Sequence, residues 1–411
     1  MGSGTIDGNG VLGSGEPKKS DSGQGTKAFG LVASTGITIS GISIKRGGWF
    51  SILATDCEQL TITGVTIAAA RDAMDIMGCR HVLIEKMKIS GGGDDAVKFG
   101  SDWSRGKKVD SFNVTVINSV VGSNGCNALQ FGSETLGDFH DYWFENITIT
   151  AAGKAGIGIV TMDGAQIYNV TYKHITMENT TSPIFMYIGG RLRSPLNKPP
   201  DGSGSSDNDT LVGGIHDILI EGVKISHVTR PGGKGKKGSG SNFSSSIEGQ
   251  PPDKVYGLEK THAVGPNIMI TDIEMTLAGG GEAEDVAIVP PHASGSYPPR
   301  YLGVRPAYGV FIRRAKGVTL TDVTIEYDSD EGEGRPAIVL SDVSDVTLDG
   351  VKAVRPDVSG QAIPTAWVQG YFSEGRLWSQ EGKAVDYDVG LRGECEGVSS
   401  GDLVTKKISG K

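Results

Sequence analysis

The chain has 411 residues, enough for a large core, yet only 37% are hydrophobic and 62 are glycine, which points to many turns and few long helices. A net charge of −9 and a pI near 5.4 argue against a general nucleic-acid binder, which presents a basic face. No run of about eighteen apolar residues occurs, so no membrane-spanning helix is expected.

The chain opens with MGSGTIDGNG, already strand-like and with no signal peptide ahead of it, which reads as an incomplete N-terminus. Short phrases then recur: GITISGISIKR from Gly36, QLTITGVTIAAA from Gln59, HVLIEKMKIS from His81, NVTVINSVV from Asn113 and NITITAAG from Asn146. The series continues with NVTYKHITM from Asn169, DILIEGVKISHV from Asp217, NIMITDIEM from Asn267, GVTLTDVTIEY from Gly317 and DVTLDGVKAV from Asp345. Each alternates apolar and polar residues and turns at Gly, Asn or Asp. Starts roughly 20 to 35 residues apart in the first half mark stacked repeats. Alternation without helical pairs predicts an all-β, single-stranded parallel β-helix, a solenoid whose coils bury their inward residues against one another.

Two stretches break the pattern, near 195–210 and 231–252; both are rich in Gly, Ser and Pro and read as loop insertions. The lysines of the second either brush an anionic polymer or keep the loop soluble. From 356 to 411 the alternation fades, as expected of a segment capping the open end. Four cysteines occur, Cys57, Cys79, Cys126 and Cys395, with no CxxC pair to suggest zinc. A 22-residue coil would stack Cys57 and Cys79 within disulfide reach; two buried thiols are the alternative. Asn-x-Ser/Thr occurs at Asn113, Asn146, Asn169, Asn179, Asn208 and Asn242, a pattern that Asn turns beside Thr-rich strands generate without glycosylation.

Four segments align by their inward residues: RDAMDIMG from Arg71, DDAVKFGS from Asp94, CNALQFGS from Cys126 and KAGIGIVT from Lys154. Met74/Ile76, Val97/Phe99, Leu129/Phe131 and Ile157/Ile159 then share the buried phase. Asp72, Asp95 and Asn127 form one column; Asp75, Lys98, Gln130 and Gly158 form a second, expected to face outward. Coils about 4.8 Å apart would gather Asp72, Asp94 and Asp95 into one patch. Crowded carboxylates raise one pKa, making an acid, while ionised partners serve as base. A lone Asp at such a turn more often caps backbone N–H groups or holds calcium, but three in register favour catalysis.

The opening GTIDGNG, the RDAMDI aspartate where relatives carry Asn-Thr-Asp, GDDAVK, SPIFMYIGGR, YPPRYLGVRPAYGVFIRRAKGVTLTDV and RPAIVLSDV follow in a specific order. In that order they resemble glycoside hydrolase family 28, the polygalacturonase-like enzymes, over residues 1–355. The resemblance implies a right-handed β-helix as catalytic domain over 1–355 and inverting hydrolysis of a pectin-type or related acidic glycan. Asp94 would protonate the leaving oxygen, and Asp72 and Asp95 would position and deprotonate the water. Inversion separates acid and base by roughly 6.5–9.5 Å. It further implies a secreted or periplasmic monomer acting on a polysaccharide, with no metal, cofactor, nucleic-acid or membrane partner.

The chain departs from the family pattern twice. Cys126-Asn127-Ala128 replaces Gly-His-Gly, and Gly158-Ile159-Val160 replaces the Arg-Ile-Lys that grips a uronate carboxylate. Asn127 can bond a sugar hydroxyl or orient a carboxylate but cannot take a proton. Each lost cation removes a charge-assisted bond worth about 1.5–3 kcal/mol. Lys98, Lys154, Arg191 and Arg193 are candidate replacements, with Gln130 as a further sugar contact. Alternatively Lys98 pairs with Asp75, the arginines are solvated, and the reacting sugar is neutral, as rhamnose in rhamnogalacturonan. Glu134, Asp138, His140, Asp163 and Trp143 flank the same face. Two rivals stand beside the hydrolase: a lyase whose aspartates hold calcium, and a non-catalytic glycan-binding β-helix.

Overall fold

The computed structural model describes residues 3–8, 12, 25–191, 208–228, 244–277, 279, 281, 283–327 and 333–353, with short pieces to 407. Arg193, Cys395 and Asn242 lie outside the described residues. Among those described, the chain is strand with a few 3₁₀ turns, such as Trp103–Arg105 and Pro299–Leu302, and no α-helix.

The strands form three parallel ladders visited in a fixed order. Lys27–Val32 belongs to one, Thr35–Ser40 to the next and Ile42–Lys45 to the third; Phe50–Thr55, Glu58–Thr63 and Thr66–Ala69 then repeat the circuit directly alongside. The ladder that matters for function runs through Phe50–Thr55, Asp72–Met77, Val97–Ser101, Leu129–Thr135, the end of Phe139–Thr161, Thr180–Ile188, Ser245–Glu248 and Val310–Tyr327. Its register is the expected one: Ile52, Met74, Val97, Leu129, Ile157 and Ile184 stand in line and are all buried. Period-two alternation puts every second side chain inward, and parallel stacking sets like on like. Aromatic residues thicken the middle, where Phe131 lies 4.7 Å from Tyr142 and 5.5 Å from Phe99, ring centre to ring centre.

The corners explain the Asn/Asp/Gly punctuation. Asn113, Asn146, Asn169, Asn179, Asp217 and Asn267 all hold φ between 52° and 59°, the left-handed region that short polar side chains tolerate. Their amides stack from coil to coil, Asn146 Nδ2 donating to Asn118 at 2.7 Å and Asn267 to Asp217 at 2.7 Å. Asn113, Asn146, Asn169 and Asn179 are thus corner residues whose amide nitrogens are already engaged.

One expectation needs correction. The 231–252 insertion contains a core strand, Ser245–Glu248, buried throughout between Thr180–Ile188 and Val310–Tyr327. Three consecutive serines gave it no apolar alternation, and small polar residues pass as loop sequence. Beyond 356, the described pieces Trp367–Gln369 and Val389–Arg392 add further parallel pairs to Ile338–Asp349. A strap over residues 283–308 covers the outer side of the functional ladder. Leu302 packs there on Val160, Phe185 and Tyr187, and His292 stacks 4.6 Å from the Tyr187 ring.

Candidate active site

The three aspartates do converge, but in unequal roles. Asp72 begins the strand Asp72–Met77, and Asp95 lies one coil along, two residues ahead of Val97–Ser101. Both are buried, and each spends one oxygen on the next coil. The Asp95 N–H donates to Asp72 Oδ1 at 3.3 Å. Asn127 donates to Asp95 Oδ1 through its backbone N–H at 3.1 Å and its Nδ2 at 2.7 Å, and Asn127 Oδ1 accepts from the Ala155 N–H at 3.1 Å. The column is a hydrogen-bonded staircase holding the edges of four coils. Asp94, stepped one residue out of it, keeps 27% of its side chain exposed. It is the carboxylate that solvent or a sugar can reach.

Burial shifts these carboxyls first, and their crowding adds to it. Burial, reinforced by the Asp75 and Asp94 charges, pushes the Asp72 carboxyl up to about 8. Burial and then the Asp94 charge raise Asp95 as well. A cation joins two of the carboxylates: Arg71 reaches Asp72 through one guanidinium nitrogen and Asp94 through the other, while its guanidinium carbon lies 4.1 Å over the Trp49 ring. Such stacking presses a planar cation into one orientation.

The second column faces away from the core, as expected, yet it is closed over rather than open. Lys98 bridges Asp75 at 3.3 Å and Glu134 at 2.7 Å, so it is a paired cation and not one available to a substrate. Burial alone would raise Glu134, but Lys98 overrides it and draws the carboxyl down to about 2; Asp75, deeper, stays raised at about 6. Gln130 is buried, its Nε2 turned to the Phe131 carbonyl, and its amide fills the space beside Gly158, where an added Cβ would stand 1.9 Å from Gln130 Oε1. Gln130 therefore occupies the place of the missing arginine and does not reach a sugar. Asn127, also buried, holds Asp95 rather than a sugar hydroxyl. Arg191 forks onto Asp163 and the Ser133 carbonyl, and Arg193 lies outside the described residues.

Among the described candidate cations, Lys154 keeps company with Asp94 and Asp95. Burial alone would lower its pKa, but the nearby Asp95 and Asp94 charges help to raise it, and its Nζ meets the Tyr297 hydroxyl at 3.4 Å. Tyr297 comes from the strap, 143 residues further on, and no local pattern could have announced it. Arg71 and Trp49, by contrast, were in plain view in RDAMDI and GGWFS; what was missing was the rule that an Arg beside the first aspartate would turn back along the wall. Cys126, standing where the family pattern has glycine, joins the carboxylates. Its sulfur and one oxygen each of Asp94 and Asp95 lie within 4.8 Å of one another. That spacing is shorter than the roughly 6.5–9.5 Å an interposed water needs. On the side of Asp94 toward Asp72 stands the Arg71 guanidinium, which contacts both carboxylates.

Comparison with known proteins gives this wall a context. Residues 1–202 match the family described as glycosyl hydrolases family 28, a span that includes all three aspartates but ends before the strap. A polygalacturonase of Cryptomeria japonica is 26% identical over 161 residues, covering 37% of this chain and 30% of that protein. Among solved structures, the family 28 exopolygalacturonase of Yersinia enterocolitica overlaps 78% of this chain and 43% of its own at 12% identity, with a TM-score of 0.40. The hyperthermoactive exopolygalacturonase of Thermotoga maritima overlaps 81% and 53% at 14% identity, with a TM-score of 0.30. The chain thus spans about a third to a half of the length of these relatives.

Proposed function

We propose, from the family 28 match over residues 1–202, that this chain is a glycoside hydrolase of the polygalacturonase-like kind, acting on a pectin-type or related acidic polysaccharide. The reading includes a right-handed parallel β-helix as its fold and secretion or a periplasmic location as its setting. One observation supports it most: a partly exposed carboxylate, Asp94, flanked by two buried ones on the same wall. Asp94 is the proton donor to the leaving oxygen. Asp72 and Asp95, tied to the backbone, shape the field around it; Asp72, raised to about 8 and with its other oxygen on Arg71, receives a water proton only in the fraction of molecules where it is ionised.

With no cation at Gly158 or Val160, Arg71 and Lys154 are, among the described residues, the positive groups beside Asp94. A charged sugar would bind these two; a neutral one would leave them on the aspartates. The calcium-dependent lyase finds less support. Calcium takes six to eight oxygen ligands, whereas this cluster offers two carboxylates, a thiol and an adjacent guanidinium.

Reducing-sugar release from polygalacturonate, rhamnogalacturonan and neutral glycans tests the reading. Asp94→Asn is expected to lower kcat by about 10²–10⁴-fold, the usual worth of a general acid, with KM little changed. Equal activity of Asp94→Asn and wild type on every cleaved substrate would overturn the assignment. Products absorbing in the ultraviolet, with activity lost to chelator, would favour the lyase.

A further inference from the structure

The pair Cys57 and Cys79 lies outside the carboxylate wall and has no part in the proposed chemistry. Both side chains are buried and both are thiols in the structure. Register brings them face to face: Thr55 pairs with Met77 on one side and Glu58 with Arg80 on the other, so Cys57 and Cys79 are direct neighbours on successive coils. The Arg80 N–H donates to the Cys57 carbonyl at 2.9 Å, and the Cys57 N–H points at Cys79 Sγ at 3.4 Å. Each follows a residue in the left-handed conformation, Asp56 at φ 53° and Gly78 at φ 58°, so the two chains bend alike and carry their Cβ atoms inward together. Strands in a ladder stand about 4.8 Å apart, inside the roughly 4.4–6.8 Å between Cα atoms that a disulfide spans.

The neighbours on either side sharpen the pairing. Continuing the same line, Ser34 precedes Cys57, its carbonyl accepting from the Glu58 N–H, and Ser111 follows Cys79, its hydroxyl donating to the Cys79 carbonyl at 2.7 Å. Each cysteine therefore has one sulfur partner along the ladder, the other. A thiol hydrogen bond from Cys79 holds the Cys57 thiol below its usual range, toward the thiolate that exchange chemistry requires.

We propose that Cys57 and Cys79 are a disulfide site that staples two successive coils when the protein matures under oxidising conditions. The step balances with a small-molecule disulfide such as oxidised glutathione. The Cys57 thiolate attacks it, expelling one glutathione thiolate, and the Cys79 sulfur then displaces the second, leaving one S–S bond and two reduced glutathiones. The staple sits at the end of Asp72–Met77, joining it to Phe50–Thr55, which follows Trp49. It would hold together the two coils that carry the Arg71 stack, near the described N-terminal end of the ladder.

The test uses the full chain folded in a glutathione redox buffer and, separately, under reductant. Thiol titration in denaturant should find two of the four thiols lost only in the oxidised sample. Peptide mapping without reduction should join the peptides bearing Cys57 and Cys79. The oxidised form should melt about 4 °C higher than the reduced form, and Cys79→Ser should abolish both the cross-link and the difference. Four thiols persisting in the oxidised sample, or a cross-link through Cys126 or Cys395 instead, would overturn the proposal.

Discussion

Asp72 shows how one residue's surroundings set its chemistry. Its carboxyl is held up to about 8, whereas in the unfolded chain it ionises near the ordinary value of about 3.9. Between those limits the folded protein holds a proton that the unfolded one has released. The sign follows: this group's contribution to stability falls as pH rises from about 4 to about 8. Asp72→Asn keeps an oxygen for the Asp95 N–H and removes the ionisation. It should therefore melt above wild type at pH 8, by an amount on the order of 1–2 kcal/mol, and converge with it below pH 4. Thermal melts across that range check this; a difference that does not vary with pH would mean that Arg71 keeps Asp72 ionised throughout. The same variant should lose hydrolytic activity, which separates the stability role from the chemical one.

At the scale of elements, the strap packs beside a buried charge cluster on the wall. Glu248, on the strand whose sequence reads as loop, accepts from Arg313 Nε at 2.7 Å and from Arg314, with His292 of the strap at 3.5 Å. Burial alone would raise Glu248, but the two arginines draw it down to about 2. Removing one member of a buried ion cluster leaves its partners uncompensated, typically at a loss of about 3–5 kcal/mol. Glu248→Gln should thus lower stability by about that much in urea unfolding. Because Tyr297 reaches Lys154 from the same strap, loosening it should also raise KM more than it lowers kcat. Unchanged KM in a folded Glu248→Gln protein would show that the strap is not part of the sugar-binding surface.

For the whole molecule, these shifted groups pull in opposite directions. Asp72 and Asp75, raised to about 8 and about 6, withdraw stability as pH climbs; Glu134 and Glu248, lowered to about 2, withdraw it as pH drops below their unfolded range near 4.3. Stability should therefore peak on the acid side, between about pH 4 and 5, and decline toward both ends. A melting-temperature profile from pH 2 to 9 measures it, and a plateau centred above pH 7 would contradict the assignment of these four groups.

The amino-acid sequence by itself determined the ladder and its phase. Met74, Val97, Leu129 and Ile157 align because period-two alternation and corner residues such as Asn113 and Asp217 are local properties, and a parallel stack repeats them coil after coil. It also put Asp72, Asp94 and Asp95 on one wall. Only the tertiary structure decided which side chains there are open. Ser245–Glu248 lacks the alternation that marks a strand, and its place is set by the strands on either side. Lys98, Asn127 and Arg191 look like sugar ligands in one dimension, yet each finds a partner on another coil, and Gln130 turns its amide to the adjacent Phe131 carbonyl beside Gly158 of the next coil. Tyr297 reaches Lys154 across 143 residues. Ion pairing and burial depend on distances between segments far apart in the chain, and residue spacing carries no record of those distances.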